Sequence, residues 1–167
     1  MLLHCTQKLA AKLPEVAAEP LTEKSSLGSW HANLVQVRNR QCVLFCHDET
    51  RYMLFVPGLK KIHFANLGRI HRDVFLMSLT AHGAPDNKVM RAGLVLGPTT
   101  FDTATDRSVL SSMNVAMGDL AGTLMECSNL LELDLMETML FLNQRPVTSR
   151  GVWHRPAEEM LQLVESL

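Results

Sequence analysis

The sequence predicts a single α+β domain spanning residues 1–167, an antiparallel sheet with helices packed against it. Three observations lead there. Three extended segments follow one another between residues 30 and 56, joined only by short polar connections. The apolar spacing then switches from extended to helical close to residue 105. Finally, 47% of the 167 residues are apolar, enough for one sizeable core.

Met1–Cys5 is a short apolar segment available to join the sheet as a strand. Thr6 is placed to cap a helix carrying Leu9, Ala10 and Leu13, which Pro14 would stop. Residues 17–29, AAEPLTEKSSLGS, have the composition of a surface loop. Then come the three strands of a meander, Trp30–Arg38, Gln41–His47 and Tyr52–Val56. Arg38-Asn39-Arg40 and Asp48-Glu49-Thr50-Arg51 are the polar turns expected between hairpin strands. Apolar residues occupy both faces of the second strand, Cys42, Leu44 and Cys46 against Val43 and Phe45, so that strand should be covered on both sides. Pro57-Gly58 ends the meander.

Asn66 is placed to cap a helix bearing Leu67, Ile70, Val74 and Met77, although Gly68 weakens its first turn. A short helical turn is expected within Asp86–Ala92. Leu94–Phe101 is rich in Val, Leu, Thr and Phe and is expected as a fourth strand, bulged or at an edge because of Gly97 and Pro98. Val109, Leu110, Met113, Ala116, Met117, Leu120, Ala121, Leu124 and Met125 then recur at helical steps, with Thr105 or Asp106 as the cap. Leu130–Asn143 fits a helix better than a strand, with Asn129 before it. Gln144–Trp153 reads as a loop. Pro156 opens a last helix at the favoured first position, with Met160, Leu161, Val164 and Leu167 on its buried side.

The formal net charge of −1 recommends no partner through a global field. No apolar run approaches the roughly 20 residues that span a bilayer. The first residues lack the pattern of a secretory signal, so a mature cytosolic protein with no membrane partner is expected. In that compartment the four cysteines, Cys5, Cys42, Cys46 and Cys127, are expected as thiols. Cys42 and Cys46 would lie roughly 13 Å apart along one strand at about 3.3 Å per residue, too far to share a zinc ion. No metal and no cofactor are expected. The seven histidines fall into no HExxH pair, and no GxSxG elbow presents a serine.

What stands out is the joint at residues 102–114. Asp106, Arg107, Ser108 and Asn114 collect where the long helix begins, and Arg51 and Trp30 are candidate neighbours. Free amides and an arginine can hold a phosphate or carboxylate. Trp30 can anchor a partner or fill a core. No catalytic spacing accompanies these residues, which favours a non-enzymatic binding or regulatory module whose partner is another protein. Two alternatives stand beside it. Lys60, Lys61, Arg69, His71 and Arg72 give the 60–72 region a basic character that could meet nucleic acid, though no aromatics interleave with them. A small hydrolase or transferase could instead use Ser108 or Asp106, with Asp102 beside them.

Several segments occur in a recognisable order: CTQKL, WHANLVQVRNRQCVLFCHDETRYMLFVPGLKK, TDRSVLSSMN and NQRPVTSRGVWHRPAEEMLQLV. Together they resemble a family of small bacterial proteins defined only as a domain of unknown function. Members occur alone or beside a domain named after a plasmid open reading frame. The RSVLxSMN-like segment is the most specific part, here Arg107, Ser108, Val109, Leu110, Ser112, Met113 and Asn114. Ser111 departs from the glycine of that pattern, and Trp153-His154-Arg155 departs from its Tyr/Lys-rich form. The resemblance covers nearly the whole chain and implies no particular activity.

Overall fold

A computed structural model describes all residues, 1–167. In chain order the elements are β1 (Leu2–Cys5), α1 (Gln7–Ala10), β2 (Trp30–Val37), β3 (Arg40–His47), β4 (Met53–Leu59), α2 (Lys61–Phe64), α3 (Leu67–Ala81), α4 (Asp86–Leu96) and β5 (Thr100–Asp102). They continue with α5 (Arg107–Glu126), a 3-10 turn at Leu130–Glu132, α6 (Leu135–Gln144), β6 (Val147–Ser149), β7 (Val152–His154) and α7 (Pro156–Glu165). The α+β class is as expected. No helix is long and apolar enough to cross a membrane.

Five strands form one sheet in the order β4-β3-β2-β1-β5. The meander β2-β3-β4 is antiparallel, as its short polar turns require. The sheet as a whole is mixed, not antiparallel: β1 lies between β2 and β5 and runs parallel to both. Parallel neighbours need crossovers rather than hairpins: residues 6–29, with α1, lead from β1 to β2, and the path from β4 to β5 runs through α2, α3 and α4.

β3 is covered on both sides, as its composition demands. On one face Val43 and Phe45 join Leu3, Trp30 and Leu54 in the larger core, closed by Leu67, Val74, Phe75 and Leu79 of α3 with Met139, Met160 and Val164 behind. On the other face Cys42, Leu44 and Cys46 meet Val109, Met113, Ala116, Leu120 and Leu124 of α5. All four cysteines are free thiols, and burial pushes Cys5 up to about 12 and Cys46 upward as well.

Four local expectations are corrected. The strand expected over residues 94–101 is helix α4 as far as Leu96, and only Thr100–Asp102 is extended. Gly97 at φ 62° ends the helix, and Leu96 is buried as part of a helix face with Ala92 rather than a sheet face. The loop at 144–153 contains the hairpin β6-β7, whose turn residues Arg150 and Gly151 both adopt positive φ, 51° and 78°. The stretch 130–143 splits: Asn129 accepts from the Leu131 amide over the 3-10 turn, and Asp134 caps α6 separately through the Glu137 amide. Thr6 and Asn66 stand at helix starts but do not cap them. The Thr6 hydroxyl donates to Asn33 Oδ1 at 3.0 Å, and the Asn66 amide donates to the Ile62 carbonyl at 3.0 Å.

Gly68 has a reason to be small. A Cβ there would stand 2.5 to 2.9 Å from three atoms of Thr99, so α3 and the segment before β5 touch only because the side chain is missing. On the outer edge of β4, the Asn143 side chain takes both outward groups of Met53. Its Oδ1 accepts from the Met53 amide at 2.6 Å and its Nδ2 donates to the Met53 carbonyl at 2.8 Å.

His71, expected on the solvated basic face of α3, is wholly buried. Its ring meets Trp30 edge-on with centroids 4.5 Å apart and Phe45 at 4.8 Å, and neither ring nitrogen has a partner. Burial, reinforced by His47, pushes its pKa down to about 3. The sign follows. A histidine held neutral in the fold takes a proton more readily when unfolded, so stability falls as pH drops below the ordinary value of 6.5 toward 3. The loss is roughly 1.4 kcal/mol per pH unit for each such group. Denaturation of His71→Phe between pH 7 and pH 4 should show a flatter decline than the parent. Gly68→Ala should destabilise at every pH, because Thr99 must move.

Candidate functional site

The parallel register of β1 with β2 and β5 places three polar side chains side by side. His4 pairs with His31 on one side and with Asp102 on the other. By strand alternation they share the face carrying Cys46, the face on which α5 lies. Asp48, from the turn after β3, completes the row.

The hydrogen bonds assign the protons. The Asp106 amide donates to His31 Nε2 at 2.6 Å. An amide nitrogen can only donate, so Nε2 is bare and the ring hydrogen sits on Nδ1, from which it goes to Asp48 Oδ1 at 2.6 Å. Asp48 Oδ2 accepts from the Ser29 hydroxyl at 2.6 Å. Burial works to raise the Asp48 carboxyl, but the His31 and Ser29 bonds outweigh it and hold the group below its ordinary range. His4 Nδ1 lies 2.6 Å from Asp102 Oδ1, and its Nε2 lies 3.8 Å from Asp48 Oδ2. Asp102 also accepts from the amides of Leu21 at 2.8 Å and Ala104 at 3.1 Å. Burial tends to raise it too, and those amides with His4 hold it down.

From this row the chain enters α5. Asp106 is the cap, with Oδ1 accepting from the Ser108 amide at 2.7 Å and the Val109 amide at 3.2 Å. Its other oxygen meets Arg150 Nη2 at 2.5 Å. The slight burial that would raise the Asp106 carboxyl is outweighed by those amides and by Arg150, so it rests below the usual range. Ser108 Oγ is 2.6 Å from Ser149 Oγ of β6. Arg51 reaches both, donating from Nη2 to Ser108 Oγ at 3.3 Å and Ser149 Oγ at 3.0 Å, while Nη1 donates to the Asp48 carbonyl. Arg51 is buried, and its own backbone is left-handed, φ 59°.

Of the six residues singled out in the sequence, Asp106, Ser108 and Arg51 are therefore one connected set. Arg107 and Asn114 are exposed on α5 beside it. Trp30 is not a neighbour: it is wholly buried, packed on His47 and Phe75 in the core of the opposite face. Strand alternation decides this: Trp30 precedes His31, which lies on the face under α5, so Trp30 points into the core on the opposite face. Five residues of the network were not singled out: His4, His31, Asp48, Ser149 and Arg150. His31 and Asn33 alternate correctly for one face, but the pairing with β1 that makes a row of them leaves no mark in the sequence. The Ser149 and Arg150 positions depend on a hairpin read there as loop.

Chemically, the set is a rigid polar seam. The Ser108 hydroxyl has a second hydroxyl and a guanidinium as partners, neither of which is a base. The one ring nitrogen in the row without a bond at hydrogen-bonding distance is His4 Nε2.

Two measurements check this geometry. Long-range proton–nitrogen correlation spectra should show His31 as the Nδ1–H tautomer. Asp106→Ala should cost about 1 kcal/mol in chemical denaturation through loss of the cap, and Asp106→Asn distinctly less.

No curated protein matches the chain. A family described as Domain of unknown function (DUF6933) matches residues 2–159, and that span includes every residue of the seam from His4 to Arg150. The chain therefore belongs to the DUF6933 family.

Proposed function

We propose that this protein is a non-enzymatic binding or regulatory module and that it meets another protein through the start of α5, with Arg107, Asn114 and Arg150 at the contact and Ser108 at its floor. One observation carries the reading. The groups under this surface are bonded to one another, whereas Arg107 and Arg150 stand exposed immediately beside them. Asp106 holds Arg150 over this floor, so that donor loses little freedom on binding. The setting in the same proposal is a bacterial cytosol. The free thiols support the compartment, and the RSVLxSMN-like segment supports a bacterial source and kinship with chains that carry the plasmid-frame domain.

The hydrolase or transferase reading gains from His4 alone. That ring is bonded to Asp102 at 2.6 Å, is only partly buried, and keeps Nε2 unbonded, which is the arrangement of a general base. Turnover of simple ester or phosphate-ester substrates that His4→Gln abolishes would favour it. The nucleic-acid reading is weaker, because His71 is lost to the core and leaves Lys60, Lys61 and Arg69 as the exposed cations there.

The direct test is affinity capture from a host lysate with the parent and with Arg107→Ala/Asn114→Ala. Both residues are exposed, so the double variant should keep its stability to within about 0.5 kcal/mol. It should lose the partner that the parent retains. Undiminished capture would move the contact elsewhere.

A further inference from the structure

We infer that the cluster Arg51–Ser108–Ser149, with Arg150 at its rim, is a binding site for an oxyanion, a phosphate or carboxylate group carried by whatever docks there. This deepens the proposed contact surface and rests on it.

Arg51 is a guanidinium that is more than nine-tenths buried, at 6% exposure. Its acceptors are the Asp48 carbonyl and two serine hydroxyls, all neutral. Its Nε–H is buried with no acceptor at all. A buried cation is ordinarily paired with an anion, because desolvating it alone is expensive. The nearby carboxylates are committed elsewhere. Asp106 bonds the α5 amides and Arg150, Asp102 bonds His4 and two amides, and Asp48 turns its carboxylate to His31 and Ser29.

The hydroxyls point the same way. Ser108 Oγ and Ser149 Oγ are 2.6 Å apart, so one donates to the other. Both already accept from Arg51. One O–H hydrogen of the pair is therefore left without an acceptor. Ser149 is buried and Ser108 is only partly so, which directs the spare hydrogen from Ser108 toward solvent. Arg150, 69% exposed along its side chain, stands on the same side through Asp106. Although Asp48, Asp102 and Asp106 outnumber Arg51 and Arg150 in the seam as a whole, the set Arg51–Ser108–Ser149 itself holds one positive charge with only neutral acceptors and surplus donors, and lacks one acceptor. An oxygen carrying negative charge supplies both. The helix terminus is not the site, since Asp106 occupies the amides of Ser108 and Val109.

The experiment is a titration of the full chain with sodium phosphate and, separately, sodium acetate, against sodium chloride at matched ionic strength. Amide spectra and the Arg51 Nε–H resonance are followed. Saturable shifts at Ser108, Ser149 and Arg51 with phosphate, acetate or both are the expected result, and which anion saturates identifies the oxyanion. Ser108→Ala and Arg150→Gln should each weaken that binding by roughly tenfold. Arg51→Lys, which keeps the charge and loses the fork, should weaken it also. Shifts that match the chloride control up to the solubility limit would overturn the inference, as would saturation centred on other residues. The two readings fail separately. Lost capture in Arg107→Ala/Asn114→Ala with no anion response at Arg51 keeps the contact surface and removes the oxyanion. Anion binding at Arg51 with undiminished capture does the reverse.

Discussion

The contact on which the rest of this molecule depends is the single bond from the Asp106 amide to His31 Nε2. It joins the middle strand of the sheet to the first residue before α5. Through Nδ1 the same ring holds Asp48, and so fixes the turn from which Arg51 departs. A ring with one donor and one acceptor can satisfy both neighbours only as a neutral imidazole. The position of α5 over Cys42, Leu44 and Cys46 is therefore tied to one protonation state of one buried side chain. Apolar packing supplies most of the stabilisation of that layer, since five α5 side chains are buried in it. It does not define an angular position for the helix start, and the imidazole does.

The polar row beside that bond is consistent with its burial. Three carboxylates, Asp48, Asp102 and Asp106, lie within a few residues of the seam, and each is held below its ordinary range by donors aimed at it. Such networks are favourable only when nearly every group is satisfied. Here the exception is cationic, at Arg51, whose Nε–H is orphaned. The contrast between three well-served anions and one underserved cation is what gives the seam its chemical polarity.

Much of the architecture was legible from residue order because it is local. The meander follows from polar turns between apolar runs, α5 from three- and four-residue spacing, its cap from the pair Thr105-Asp106, and α7 from Pro156. What stayed hidden is non-local. Val and Leu at 94–96 suit a strand by propensity, but Gly97 and the buried Ala92–Leu96 face make them the end of a helix. β1 was an open option, and only its parallel register with both β2 and β5 makes neighbours of His4, His31 and Asp102. Arg150-Gly151 is not among the favoured hairpin turn pairs, so the hairpin that brings Ser149 and Arg150 to Ser108 reads as loop. Half of the candidate site was therefore visible, the half on α5 itself, together with Arg51. The half brought by strand pairing was not.

The Asn143 amide also has a meaning for how copies of this chain treat one another. Strand β4 ends the sheet, and a terminal strand with free main-chain groups is a template on which another chain can grow. Asn143 offers Met53 the donor and acceptor that a sixth strand would offer, and Pro57 further along has no N–H to give. At the opposite margin β5 is three residues long, too brief to recruit an extended segment. The sheet is thus self-terminating at both margins, and crowded copies are steered away from ribbon-like polymerisation by one carboxamide, one imino acid and one short strand.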